Sequence, residues 1–144
     1  MKKTFTFFLF LAFSVTTFAQ VVINEISYNP PESGTDSLEY IELYNAGSSA
    51  VDMSGWYFTQ GVTDTFPAGT MIDADGYFVV AVNPAAMQNV FGVTARQWIG
   101  GGLSNSGEDI LIVDASGTEV DFVDFDDNDP VSYTHLTLPT TSRV

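Results

Sequence analysis

Two stretches decide the fold: Glu39-Tyr40-Ile41-Glu42-Leu43-Tyr44-Asn45, and Leu103-Ser104-Asn105-Ser106-Gly107-Glu108-Asp109-Ile110-Leu111-Ile112-Val113-Asp114. In the first, Ile41 and Leu43 alternate with Tyr40, Glu42 and Tyr44, the period-two pattern of a strand with two distinct faces. In the second, Asn105-Ser106-Gly107 carries turn chemistry and opens onto the apolar run Ile110–Val113. A short companion, Asn24-Glu25-Ile26, sits inside an earlier apolar run, Val21–Ser27. All three read as strand and turn.

Outward from these, turn signals recur at intervals of about eight to twelve residues, the spacing of an all-β sandwich. Val21–Ser27 is a first strand, ended by Asn29-Pro30-Pro31 and a polar loop, Glu32–Ser37. Leu38–Asn45 is a second, and Ala46–Ser49 turns the chain. In Val51-Asp52-Met53-Ser54-Gly55-Trp56-Tyr57-Phe58, Gly55 is expected in a backbone conformation closed to bulkier residues, and Trp56 in the core. Thr65–Phe66 and Gly69–Ile72 read as short strands around Pro67. Asp75-Gly76 is a tight-turn signal before Tyr77–Val82, an unbroken apolar run expected to be buried on both faces. Asn83 as cap and Pro84 at the first helical position predict one or two helical turns over Ala85–Phe91, stopped by Gly92. Gly100–Gly102 is a loop. Asp109–Asp114 and Thr118–Phe125 form a hairpin across Ala115-Ser116-Gly117.

The two ends of the chain have different compositions from its middle. Lys2 and Lys3 precede the apolar stretch Phe5–Phe18, and Thr17-Phe18-Ala19 offers small residues at a cleavage site before Gln20. Residues 1–19 therefore read as a secretory signal peptide, shorter than the roughly 20 apolar residues a spanning helix needs. Residues 20–130 form the domain. Residues 131–144 hold none of the 18 acids and the only histidine, and they resemble translated adapter sequence, a non-native tail. The domain is accordingly expected to lack its last strand and to be the N-terminal part of a larger exported protein.

Removing the leader leaves Arg96 and Arg143 against 18 acids, a net charge of −16. Such a field repels phosphate backbones and anionic lipid, so nucleic acid is not expected as a partner, nor is membrane insertion after cleavage. Divalent cations and cationic surfaces fit better. The absence of cysteine removes disulfides, thiolate nucleophiles and zinc–thiolate sites, leaving the fold to its core.

The Asn24–Ile26, Glu39–Asn45 and Leu103–Asp114 segments, with Val51–Trp56 between them, resemble the lamin tail domain, an immunoglobulin-like antiparallel β-sandwich. The resemblance runs over residues 21–129 and implies a non-catalytic binding or structural module, which in bacterial relatives accompanies surface-associated hydrolases or binding domains. Animal lamin tails have been linked to DNA and chromatin; the charge of this chain argues against carrying that over.

Searching the residues for chemistry supports the same reading. A Ser-His-acid triad needs a base, and the lone His135 lies in the foreign tail. Ser104 and Ser106 do not match the nucleophile elbow and read instead as turn residues. Glu39 and Glu42 are oddly spaced on a strand, so they face opposite sides and do not form an acid pair. Glu25, Glu39 and Asn45 are expected to hydrogen-bond to backbone or neighbouring loops. No enzyme activity and no resident cofactor are expected. Calcium is the one candidate ion, at Asp124, Asp126, Asp127, Asn128 and Asp129, where Asp124-x-Asp126-x-Asn128 matches the first half of an EF-hand loop. The match fails at Asp129, where glycine belongs, and at His135, where the bidentate glutamate belongs. Asp73 or Asp75 would have to complete such a site. Partners are expected to be an extracellular protein or a glycan. A polysaccharide platform would need exposed aromatics, with Trp98 the first choice; a targeting role for a hydrolase whose catalytic region is missing is a further alternative.

Overall fold

The computed structural model describes residues 20–31 and 36–126. The expected signal peptide over residues 1–19, residues 32–35 of the polar loop, Asp127–Asp129 and the expected non-native tail over residues 131–144 lie outside them. The chain forms β1 (Val21–Ser27), β2 (Tyr40–Asn45), β3 (Val51–Asp52), β4 (Tyr57–Gln60), β5 (Met71–Ile72), β6 (Tyr77–Ala81), α1 (Pro84–Phe91), β7 (Ala95–Gln97), β8 (Gly107–Val113) and β9 (Glu119–Asp126). One sheet runs β1-β2-β6-β7, a second β4-β8-β9, and β3 pairs with β5 in a small ribbon. Every pairing is antiparallel except β6 with β7. The expected β-sandwich is the fold.

The apolar faces explain why the sheets stack. Val21, Ile41, Leu43 and Val80 of the first sheet meet Phe58, Ile110, Ile112 and Phe125 of the second in one core. A bulge between Ile23 and Glu25 controls this face: Ile23 pairs with Leu43 and Ile26 with Ile41, although two residues, Asn24 and Glu25, lie between the two isoleucines. Strict alternation would turn one of them outward; the extra residue at Asn24 lets both point in and sends Glu25 to the outer face, opposite Glu42.

That outer face is half covered. Tyr40, Val79 and Ala81 form a second buried cluster with Met87, which α1 lays over them. The helix begins as its sequence dictates, with the Asn83 side chain accepting from the Ala86 N–H at 3.1 Å and Pro84 in the first turn, and it ends at Gly92 with φ 70°. Supplying the crossover for a parallel partner, the helix delivers β7 alongside β6. Beyond it, Tyr77 is 47% exposed; the run Tyr77–Val82 is thus buried on both faces only where α1 lies over it.

Both seams between the sheets are clasped. On one side Asp121 of β9 accepts a hydrogen bond from the Ile23 N–H of β1 at 2.7 Å, and the Tyr28 and Phe125 rings lie 4.7 Å apart. On the other, Arg96 of β7 holds Asp64 with two hydrogen bonds of 2.7 and 2.9 Å, and Thr63 bridges to Gly100. The Asp64 side chain is fully buried. Three expectations shift. The second strand starts at Tyr40 because Ser37 and Leu38 turn. Of Thr65–Phe66 and Gly69–Ile72, only Met71–Ile72 forms a strand, with Thr65 reduced to a bridge to Tyr57. Trp56 packs against the core but is only half-buried, while Phe58 lies fully within it.

Gly107 has φ 100°, and a Cβ there would collide with the Phe125 carbonyl oxygen on β9. Gly107→Ala is therefore expected to cost about 3 kcal/mol in chemical denaturation, from backbone strain and the displaced strand. Asp64→Asn, which leaves Arg96 without its carboxylate, should lose less than Arg96→Ala, which strands a buried charge and costs about 3 kcal/mol.

Candidate functional site

The most built-up polar structure lies at the open end of the first sheet, around Asn45. This residue ends β2 and is fully buried. Its Nδ2 donates to the Ser49 carbonyl at 2.8 Å and the Asp73 carbonyl at 2.9 Å, with Ile72 O at 3.3 Å; its Oδ1 accepts from the Gly47 N–H at 2.9 Å. Its backbone N–H donates to Gly76 O. One amide thus ties the 46–49 turn and the Asp73–Gly76 turn to the end of a central strand. Asp75 sits in that second turn with φ 52°, a left-handed conformation that Asp tolerates better than most residues.

The turn presents Asp75 next to two rings. Tyr44 and Tyr77 are directly opposite on β2 and β6, so they share the outer face, with centroids 4.8 Å apart and planes inclined at 31°. The Tyr44 hydroxyl donates to Asp75 Oδ1 at 3.3 Å; partial desolvation pushes its pKa upward, and the nearby carboxylate adds to the rise.

The buried acids of the motif segments lie elsewhere. Glu39 Oε2 accepts from the Leu103 N–H at 3.1 Å, tying the start of β2 to the loop before β8, as expected for a structural role. Glu25 accepts from the Tyr40 hydroxyl of the neighbouring strand at 2.6 Å. Glu42 is 1% exposed, accepts from Asn24 Nδ2 at 2.8 Å through Oε1, and has no hydrogen-bond partner for Oε2. Burial raises the pKa of Glu42, with the Asn24 hydrogen bond opposing and the Glu25 charge adding to the rise. Burial likewise raises Glu39 against the Leu103 hydrogen bond. The burial of Glu42 was not visible in an alternating strand, because its neighbours are set by the bulge in β1, which brings Asn24 and Glu25 beside it.

The candidate calcium segment is described only in part. Asp124 and Asp126 are exposed alternate residues on β9, and Asp124 stands opposite Asp109, an unfavourable like-charge pair. Asp127, Asn128 and Asp129 lie outside the described residues. Asp73 and Asp75 lie at the other end of the sandwich: Asp75 neighbours Tyr44, which is in register with Val22 on β1, whereas β9 ends beside Tyr28. Among the described residues, no three His, Cys, Asp or Glu side chains converge to hold a metal. Ser104 and Ser106 form the expected turn, with the Ser106 N–H on Ser104 Oγ. Trp98, expected at the surface, is 4% exposed and donates its indole N–H to Gly101 O. Trp98 is therefore not available as the platform for a polysaccharide.

The raised carboxyl pKa values set a pH dependence. Glu39 and Glu42 bind protons more readily when folded, so their contribution to stability is complete below the unfolded value near 4.5 and fades as pH rises through their folded values. Asp52 and Asp114 are lowered by hydrogen bonds from Ser54 and Ser116, and their contribution disappears only on acidification below about 3.8. Melting temperature should therefore rise on acidification from pH 7 toward 5 and fall again in stronger acid. Glu42→Gln should flatten the rise; an equally steep rise in that variant would place its source elsewhere.

No curated protein matches this chain. The family model described as Lamin Tail Domain matches residues 14–127, well over half of the sequence. Its members are non-catalytic immunoglobulin-like modules, in keeping with the sandwich and with motif acids bound into the fold. The chain belongs to the Lamin Tail Domain family.

Proposed function

We propose that the protein is an exported, non-catalytic interaction module that works outside the cell or at its surface. The observation that carries this reading is how the prominent polar residues are used. Glu25, Glu39, Asn45 and Asp64 are all buried and hydrogen-bonded within the fold. Groups so committed hold loops and strands in place; they are not poised to move protons to a substrate. Apart from Glu42, the other acids among the described residues are half-buried or exposed, and the chain is strongly anionic, which favours cationic partners and disfavours nucleic acid. Among the described residues, no helix is long and apolar enough to cross a membrane. The basic, apolar and small-residue regions of positions 1–19 supply the export signal in this reading.

Calcium enters this reading through Asp124 and Asp126 with the residues that follow them. A ligand that binds only the folded state raises its melting temperature by mass action, so millimolar calcium should do so and magnesium should do so less. An unchanged melting temperature removes the ion.

Export has its own test. Expressed in a Gram-negative host, the chain is expected outside the cytoplasm with a mature N-terminus at Gln20, read by mass spectrometry. Cytoplasmic, uncleaved protein would overturn the assignment.

A further inference from the structure

The outer face of the first sheet is divided by α1 into a sealed half and a bare half. Tyr40, Val79 and Ala81 lie under the helix, whereas Tyr44 is only partly covered and Tyr77 is 47% exposed. The bare half ends in a constructed corner: two tyrosines paired across β2 and β6, and the exposed carboxylate of Asp75, whose turn is anchored by the buried Asn45. Asp75 is the one non-glycine residue with positive φ among the described residues. Such a conformation is retained where the surrounding structure over-determines it, and here it brings a carboxylate against a phenol.

Two aromatic faces beside a carboxylate form a receptor for an organic cation. Ring quadrupoles attract an ammonium or guanidinium placed over them, and the carboxylate supplies a charged hydrogen-bond acceptor. Among the described residues, no basic group satisfies the corner. Arg96 is held by Asp64 at the far seam, and Lys2, Lys3 and Arg143 lie outside the described residues. The chain carries 18 acids, so its field adds to the same attraction. A neutral sugar would use the rings and draw nothing from the field. A second copy of this anionic chain would be repelled.

We propose that the corner formed by Tyr44, Tyr77 and Asp75 receives an arginine or lysine side chain from a basic segment of a partner protein. This rests on the interaction-module reading and names the chemistry of the partner.

The test uses a short arginine–serine peptide and its citrulline counterpart, titrated into the isotope-labelled protein by NMR at low and moderate salt. The arginine peptide should shift the Tyr44, Asp75 and Tyr77 resonances, the neutral citrulline peptide should not, and salt should weaken binding. Tyr77→Leu removes the ring while keeping apolar bulk and should weaken binding roughly fivefold. Tyr77→Phe should retain it. Asp75→Asn keeps the tolerance for the left-handed turn and should also weaken binding. Melting temperatures of the three variants show whether the fold is kept. Equal affinity in Tyr77→Leu would mean diffuse attraction to the acidic surface and would overturn the corner, as would equal binding of citrulline peptide or a stronger response of these resonances to neutral oligosaccharides. Any of these with normal export and cleavage overturns the corner alone; cytoplasmic retention overturns the module reading instead.

Discussion

Strand β1 must satisfy two demands that regular alternation sets against each other. Ile23 and Ile26 both have to enter the core, and Glu25 has to leave it. The bulge at Asn24 meets both by inserting one residue into the ladder with β2. Its side chain then donates to Glu42, so the residue that shifts the register also partners the acid that the shift brings opposite Glu25. A regular strand continuing from the Ile23–Leu43 pair would place the Glu25 carboxylate opposite Ile41 on the core face, where it would have to be desolvated without a cation. The packing of the sandwich and the placement of its acids follow from that one insertion.

Without cysteine, the sandwich is closed by polar clasps at its two seams. Asp121 caps an edge N–H of β1, which blunts the edges as well as joining them, since an inward-facing charge discourages a foreign strand from pairing there. Arg96 and Asp64 join the opposite seam with a bidentate pair, whose planar geometry lysine would not reproduce.

Features governed by neighbours in sequence were readable beforehand. Asn83, Pro84 and Gly92 mark α1 because capping is local chemistry, and the Val21–Ser27 strand and the Ala115–Gly117 hairpin follow from alternation and turn residues. What depends on distant partners was not. Trp98 sits next to Arg96 and a glycine loop, which suggests a surface, yet the clasp to Asp64 and the Thr63 bridge fold that segment over the core. The three residues of β7 carry no alternation, and only the crossover of α1 makes them a strand. Tyr44, Tyr77 and Asp75 were each legible as strand or turn residues. Their meeting was not, because it needs the register of β2 with β6 and the amide of Asn45.

The parallel course of β1 and β9 has a mechanical meaning. Asp121, near the start of β9, meets Ile23, near the start of β1, while Phe125 near its end meets Tyr28. The chain therefore enters the sandwich at one pole, at Val21, and leaves β9 at the other, at Asp126. Tension applied between those points runs along the strands, so the hydrogen bonds joining β1 to β2 and β9 to β8 are loaded in shear, many at once. A hairpin pulled from one end would open them singly, like a zip. For a module held between an anchor and a load, the first geometry lets the whole ladder share the force.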